Sequence, residues 1–160
     1  KTKKLFIATN GFAAHLGITQ VQPARNQVLV TKPIPDLKIK GTFHLDEGYT
    51  YFRNIDNRIL LGGGRNLDLT GEQTDALGTS AIIQAHLEET LAEVILPQTP
   101  VEIDYRWSGI LGVGAQKKPI LKSLSENVFC GVRLGGMGVA IGSQIGKELA
   151  DLLDPPKTMK

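Results

Sequence analysis

Phe129-Cys130-Gly131-Val132-Arg133-Leu134-Gly135-Gly136-Met137-Gly138-Val139-Ala140-Ile141-Gly142 is the stretch on which the reading of the fold turns. An apolar run leads into a glycine loop, and the loop opens an apolar-periodic segment through Ile141, Ile145, Leu149 and Leu152 that Asp154-Pro155-Pro156 ends. That is a strand, a turn and a helix. Glycines in such a turn let backbone approach a ligand, and the free amides of the helix start favour negative charge. A plain helix cap with close packing would use the same residues. A dinucleotide fingerprint is excluded by spacing: from Gly136 the pattern is Gly-x-Gly-x-x-x-Gly, one residue too long. Few residues follow, whereas a dinucleotide fold needs a second strand and an acidic residue further on.

Working outward, Leu5-Phe6-Ile7-Ala8 reads as a strand buried on both faces, ended by Thr9-Asn10-Gly11. Gln27 to Thr31 predicts another strand. Leu37 to Leu45 and Glu47 to Arg53 alternate as antiparallel strands, with Asp46 and Gly48 in the bend. Asp56-Asn57 predicts a hairpin turn into Arg58 to Leu61, closed by Gly62-Gly63-Gly64. Ser80 is placed to cap a helix running to Ile95, with Ile83, Leu87, Leu91 and Val94 on one stripe. Val101 to Trp107 and Asn127 to Val132 read as further strands. The fold class expected is α+β: an antiparallel or mixed sheet lobe with an amphipathic helix, flanked by fragments of an α/β lobe. The boundaries expected are 1–22, 23–106, 107–154 and a tail at 155–160.

Composition excludes several classes. Over 160 residues, 41% are hydrophobic and 21% charged, with a formal net charge of +2, as in ordinary globular proteins. The cations are scattered, which argues against nucleic acid. No apolar run approaches the roughly 20 residues of a membrane span. No signal-peptide pattern is visible, so a cytoplasmic location is expected. Cys130 is the one cysteine and reads as packing. His15, His44 and His86 show no ligand spacing, so no metal is expected; His86 reads as solvated. The chain begins at Lys1, and the strand at Leu5 needs parallel neighbours. An excerpt of a longer protein is therefore expected, with a strand, a Gly-x-Gly-x-x-Gly loop and a helix upstream.

The segments resemble, in order, those of FAD-dependent oxidoreductases of the D-amino acid oxidase, glycine oxidase and sarcosine oxidase (DAO) family. Phe6 to Phe12 is similar to the strand and turn that close the FAD lobe. Pro23 to Val30 resembles the Pro-x-Arg-Gly-Gln-Val-Leu segment, with Asn26 for the usual glycine. Tyr51 and Ile59 to Gly63 resemble the tyrosine-bearing strand and its Leu-Gly-Gly end. Arg106 to Gly109 resembles the Trp-x-Gly segment, and Gly135 to Leu152 the turn and helix whose amino end faces the flavin. No Gly-x-Gly-x-x-Gly precedes Leu5, and Leu111 stands where the family often has an arginine that pairs with the substrate carboxylate.

The resemblance implies FAD as cofactor and oxidation of an amine or amino acid by hydride transfer to flavin. No single catalytic side chain is implied. The cofactor contacts implied are Thr9, Asn10, Gly11, Arg25, Gly135, Gly136, Met137 and Gly138. The substrate contacts expected are Tyr49 and Tyr51, read as sharing one strand face, with Arg53 and Leu111. Arg53 is either an exposed salt-bridge residue or a replacement for the missing arginine. Lys117 and Lys118 are a solvated pair or approach the flavin, and Trp107 reads as core. These 160 residues alone are expected to bind FAD incompletely and to be inactive, the missing partner being an amino-terminal FAD-binding segment. The alternative is a non-catalytic ligand-binding or interaction domain with an oxidase-like lobe and no flavin.

Overall fold

Asp56 and Asn57 both adopt left-handed backbone, with φ of 47° and 58°. Two such residues in succession form the turn whose twist matches a hairpin, and Ile55 pairs with Arg58 across it. In this computed structural model, which describes residues 1–153, the hairpin joins β4 (Thr50–Ile55) to β5 (Arg58–Gly63). With β2 (Gln22–Thr31), β3 (Thr42–Leu45) and β6 (Ile103–Val113) they form a five-stranded sheet of order β3-β4-β5-β2-β6. β3 pairs antiparallel with β4, β4 with β5 and β5 with β2. A second sheet, of order β1-β8-β7, contains β1 (Leu5–Ile7), β7 (Ile120–Ser125) and β8 (Val128–Val132). β1 runs parallel to β8 and β7 antiparallel to it. The fold is mixed α+β. The helices are α1 (Ala81–Glu89) and α2 (Gly138–Asp151).

The chain divides into two units: Lys1–Ala24 with the chain from Ile110 onward, and Arg25–Gly109 between them. It leaves the first unit within β2 and returns to it within β6. In the Arg25–Gly109 unit, α1 covers one sheet face. Leu29, Phe52, Ile59 and Leu61 pack there against Ile83, Leu87, Leu91, Ile95 and Leu96. Each such side chain contributes about 1.5–3 kcal/mol by leaving water. In the other unit, Ile7, Ala13, Ile18, Val21, Ile120, Cys130 and Val132 form the core, and Leu149 of α2 lies against Gly131. Cys130 is fully buried packing.

Several expectations are corrected. β1 is not buried on both faces: Leu5 and Phe6 are exposed and only Ile7 is buried, because β8 flanks it on one side alone among the described residues. The segment from Leu37 stays irregular until Thr42; Pro33 and Pro35 remove ladder donors just upstream. β4 starts at Thr50, and Tyr49 is in a helical turn conformation, so Tyr49 and Tyr51 do not share a strand face. Ser80 sits at the helix entry without capping it. Its hydroxyl instead meets Glu72 and the Gln27 amide.

From Thr90 to Ile95 the helix widens to π geometry, and Leu96 N–H bonds Leu91 C=O five residues back. The wider turn rotates the buried stripe, leaving Val94 61% exposed and burying Ile95 and Leu96. Trp107 is not core. It is 42% exposed, beside exposed Tyr105 on the edge strand β6. β7 was not expected: most of it is exposed, so its sequence carries little apolar signal. Half-buried His86 lies with Nε2 3.4 Å from Thr50 Oγ1. In α2, Leu149 is buried, Ile141 and Ile145 are half-buried, and Leu152 caps the helix end largely in solvent. The stop expected at Asp154-Pro155-Pro156 and the tail at 155–160 lie outside the described residues. No helix among the described residues is long and apolar enough to cross a membrane.

Candidate functional site

The glycine turn is built from three segments of the first unit. Asn10, at φ 44°, turns its side chain so that Oδ1 accepts from Leu134 N–H at 2.9 Å. Gly135 N–H donates to Gly112 C=O at 3.0 Å. A methyl on Gly11 would lie 2.8 Å from both Ile110 Cγ2 and the Leu111 carbonyl oxygen, and one on Gly112 would lie 2.6 Å from Asn10 Oδ1. Only glycine permits this approach. Leu111 Cδ1 comes within 3.8 Å of where a Gly136 methyl would sit. Of the expected contacts, Asn10, Gly11, Leu111, Gly135 and Gly136 are thus brought together. Thr9 is exposed, and its carbonyl accepts from Phe12 N–H.

Gly135 and Gly136 have φ of 59° and 85°, the left-handed region that costs glycine nothing. Met137 N–H closes the turn onto Leu134 C=O at 2.9 Å, so it is not free for a ligand. The amides of Gly136, Gly138 and Val139 have no acceptor among the described residues. Unspent donors at a helix start carry partial positive charge. They fit an acceptor edge or an anion, such as the carbonyl edge of a flavin. Met137 and Val139 side chains are exposed beside them.

In the Arg25–Gly109 unit the candidate surface is the sheet face opposite α1. Strand register places His44, Tyr51, Gly62 and Val28 in one row, and Thr42, Arg53, Leu60 and Val30 in the next. The half-buried Tyr51 side chain passes over Gly62, with Oη 2.7 Å from where a methyl there would be. Asn26 Nδ2 donates to Tyr51 Oη at 2.8 Å. Burial pushes the Tyr51 phenol above its usual value, and the Asn26 bond pulls the other way. The phenol is therefore neutral at physiological pH, and its own hydrogen is left for another acceptor. Arg53 shares this face and is exposed, with Nε 3.4 Å from Asn54 C=O. Tyr49 instead stacks under the Arg65 guanidinium at 5.6 Å.

Arg25, expected at the cofactor, is engaged by Glu72. Its Nε and Nη2 donate to Glu72 at 3.0 and 2.8 Å. Glu72 Oε1 also accepts from Gln27 Nε2 and Ser80 Oγ. Gln27 Oε1 accepts from Ser80 N–H and Gln84 Nε2. This buried network was missed because an acidic residue in the polar run Thr70 to Asp75 reads as solvated. Asn26 was visible as a departure from the family glycine, and its partner was not. Lys117 and Lys118 are exposed, in the loop before Pro119. Among the described residues, no cluster of three or more His, Cys, Asp or Glu is placed to hold a metal.

The family described as DAO, FAD dependent oxidoreductase, matches residues 1–152. The chain belongs to the DAO family. A probable oxidoreductase, OrdL, of Rhizobium meliloti (strain 1021) is 26% identical to this DAO chain over 157 residues. That match covers 93% of the chain and 35% of the relative, so the chain spans about a third of the curated relative's length. Iminodiacetate oxidase from Chelativorans sp. BNC1 superposes with a TM-score of 0.79 at 19% identity, covering 96% of this chain and 42% of that one. L-proline dehydrogenase from P. horikoshii gives 0.75 at 18%, covering 96% and 43%. Glycine oxidase from Geobacillus kaustophilus gives 0.70 at 20%, covering 94% and 41%. These likenesses establish a shared fold for the DAO chain.

Proposed function

We propose that this chain forms part of an FAD-dependent enzyme that oxidises an amine or amino acid. Residues 1–22 and 107–154 are assigned to the cofactor lobe and 23–106 to the substrate lobe. When bound, FAD supplies the acceptor for a hydride leaving the carbon that bears the amine. The chain's contribution is positional and electrostatic. The amides of Gly136, Gly138 and Val139, fixed by the Asn10–Leu134 and Gly135–Gly112 bonds, hold negative charge at an acceptor edge without reorganising. These unspent amides, beside two left-handed glycines in a DAO-family chain, are the observation that carries the reading. Leu111 offers an apolar wall next to them. Tyr51 offers a neutral hydroxyl donor and Arg53 a cation on the substrate lobe.

The test is flavin absorbance. The full-length protein, loaded with FAD and kept without oxygen, is mixed with glycine, sarcosine, D-alanine and simple amines. Bleaching of the flavin band by at least one of them is expected. If the substrate carries a carboxylate, Arg53→Ala raises KM about tenfold or more, and Lys117→Ala is the comparison. A protein that never acquires a flavin band, or whose band no amine or amino acid bleaches, overturns the proposal.

A further inference from the structure

A cleft lies wholly within the first unit. It is an open cleft of about 580 Å³ between Thr19–Gln22 and the segment from Gly114 to Lys122, which includes the start of β7. Lys122 and Arg133 line it, together with Gln20, Gln22 and Gln116. No Asp or Glu lines it, and none occurs in the sequence between Tyr105 and Ser125. Its volume falls in the range of small-molecule sites.

Arg133 is held in place before any ligand arrives. Its backbone is left-handed, at φ 63°, a strained conformation for a side chain of this size. Such an outlier points toward a functional demand on the residue. Nε donates to Lys118 C=O at 2.8 Å. A methyl on Gly114 would lie 2.8 Å from Arg133 Cδ and 2.8 Å from the Gln20 carbonyl, so the side chain runs through space that only glycine leaves open. The terminal guanidinium nitrogens have no acceptor among the described residues. Lys122 Nζ is steadied by Gln20 Oε1 at 2.9 Å and keeps further N–H donors. A fork and a point charge, both preset and unopposed by carboxylate, match a dianionic oxyanion.

We propose that this cleft binds the phosphate group of a small organic phosphate, with Arg133 and Lys122 as its receptors. Ala115, Pro119 and Leu121, which share the lining, contact the organic part. The site does not depend on the flavin reading.

The test measures binding calorimetrically on the full-length, FAD-loaded protein, with AMP and inorganic phosphate as probes. AMP is expected to bind with a Kd of about 1 mM or tighter and inorganic phosphate more weakly. Lys122→Met should weaken AMP about tenfold. Arg133→Gly is the sharper variant. It relieves the left-handed strain, so the thermal midpoint should rise while AMP binding falls about tenfold. Lys40→Met, an exposed cation of the other unit, should leave binding unchanged. Absence of AMP binding, or binding that survives both cleft substitutions, overturns the site. Arg133→Gly that lowers the midpoint and leaves affinity intact makes Arg133 a strut for the loop and likewise overturns it. Equal binding of AMP and phosphate overturns the part assigned to the organic group.

Discussion

Replacing Arg25 with methionine tests the buried network at the start of the Arg25–Gly109 unit. Glu72 has a side chain 1% exposed, and both of its oxygens are engaged by the Arg25 fork. Gln27 and Ser80 reach only Oε1. Arg25→Met therefore leaves a buried carboxylate with one oxygen lacking a donor. Breaking a buried pair from one side costs about 3–5 kcal/mol, a large share of the roughly 5–15 kcal/mol that holds a domain folded. For a unit of this size the thermal midpoint should drop by about 12 °C or more. The pH dependence gives a second reading. Burial pushes the Glu72 carboxyl up, but the bonds from Arg25, Gln27 and Ser80 outweigh it and hold the group below its usual value. In the parent chain this stabilisation is present above the ordinary carboxylate value and is lost as pH falls through the depressed one. In Arg25→Met, burial loses its main opponent, so the carboxyl rises. The variant's deficit should then be greatest at neutral pH and narrow on acidification. Arg25→Met/Glu72→Gln, which removes the charge as well, should be less unstable than Arg25→Met. Urea unfolding at several pH values measures this. A deficit under about 1 kcal/mol, or one indifferent to pH, would refute the reasoning.

Two further outcomes are expected. Gly11→Ala puts a methyl 2.8 Å from the Leu111 carbonyl oxygen and should destabilise by about 1–3 kcal/mol; a neutral result in thermal unfolding would mean that the two segments lie farther apart. Asn26→Ala removes the bond that lowers the Tyr51 phenol. Ultraviolet titration, with Tyr51→Phe identifying the band, should then show that phenol ionising at higher pH, and an unmoved titration contradicts the contact.

The parts of the fold that the sequence announces are those governed by neighbours along the chain. Asp56-Asn57 specifies its hairpin because two residues that tolerate left-handed backbone stand together between alternating strands. The glycine turn at Gly135 is legible for the same reason. What the sequence hides depends on distant contacts. Nothing local signals that the helix widens at Thr90 and exchanges Val94 for Ile95. β7 presents Lys122, Ser123 and Ser125 to solvent and lacks the apolar pattern of a central strand. In the candidate site, Asn10, Gly11, Leu111, Gly135 and Gly136 were legible as separate motifs, and their convergence required the fold. Glu72 was not legible, since its burial depends on Arg25 and Gln27, which lie far from it along the chain.

The departure of the chain within β2 and its return within β6 set an order of assembly during synthesis. Arg25–Gly109 is one continuous stretch, so it can complete its sheet and core as soon as it has left the ribosome. The other unit cannot. Leu5 must wait for Val128, its partner across the parallel pair. At typical translation speeds that wait lasts on the order of ten seconds. Throughout it, the strand from Leu5 to Ile7 and the buried Ala13 and Ile18 have no β8 to cover them. Within these 160 residues, β1 is made well before the strand that secures it, so its exposure during synthesis is set by the length of the inserted Arg25–Gly109 unit.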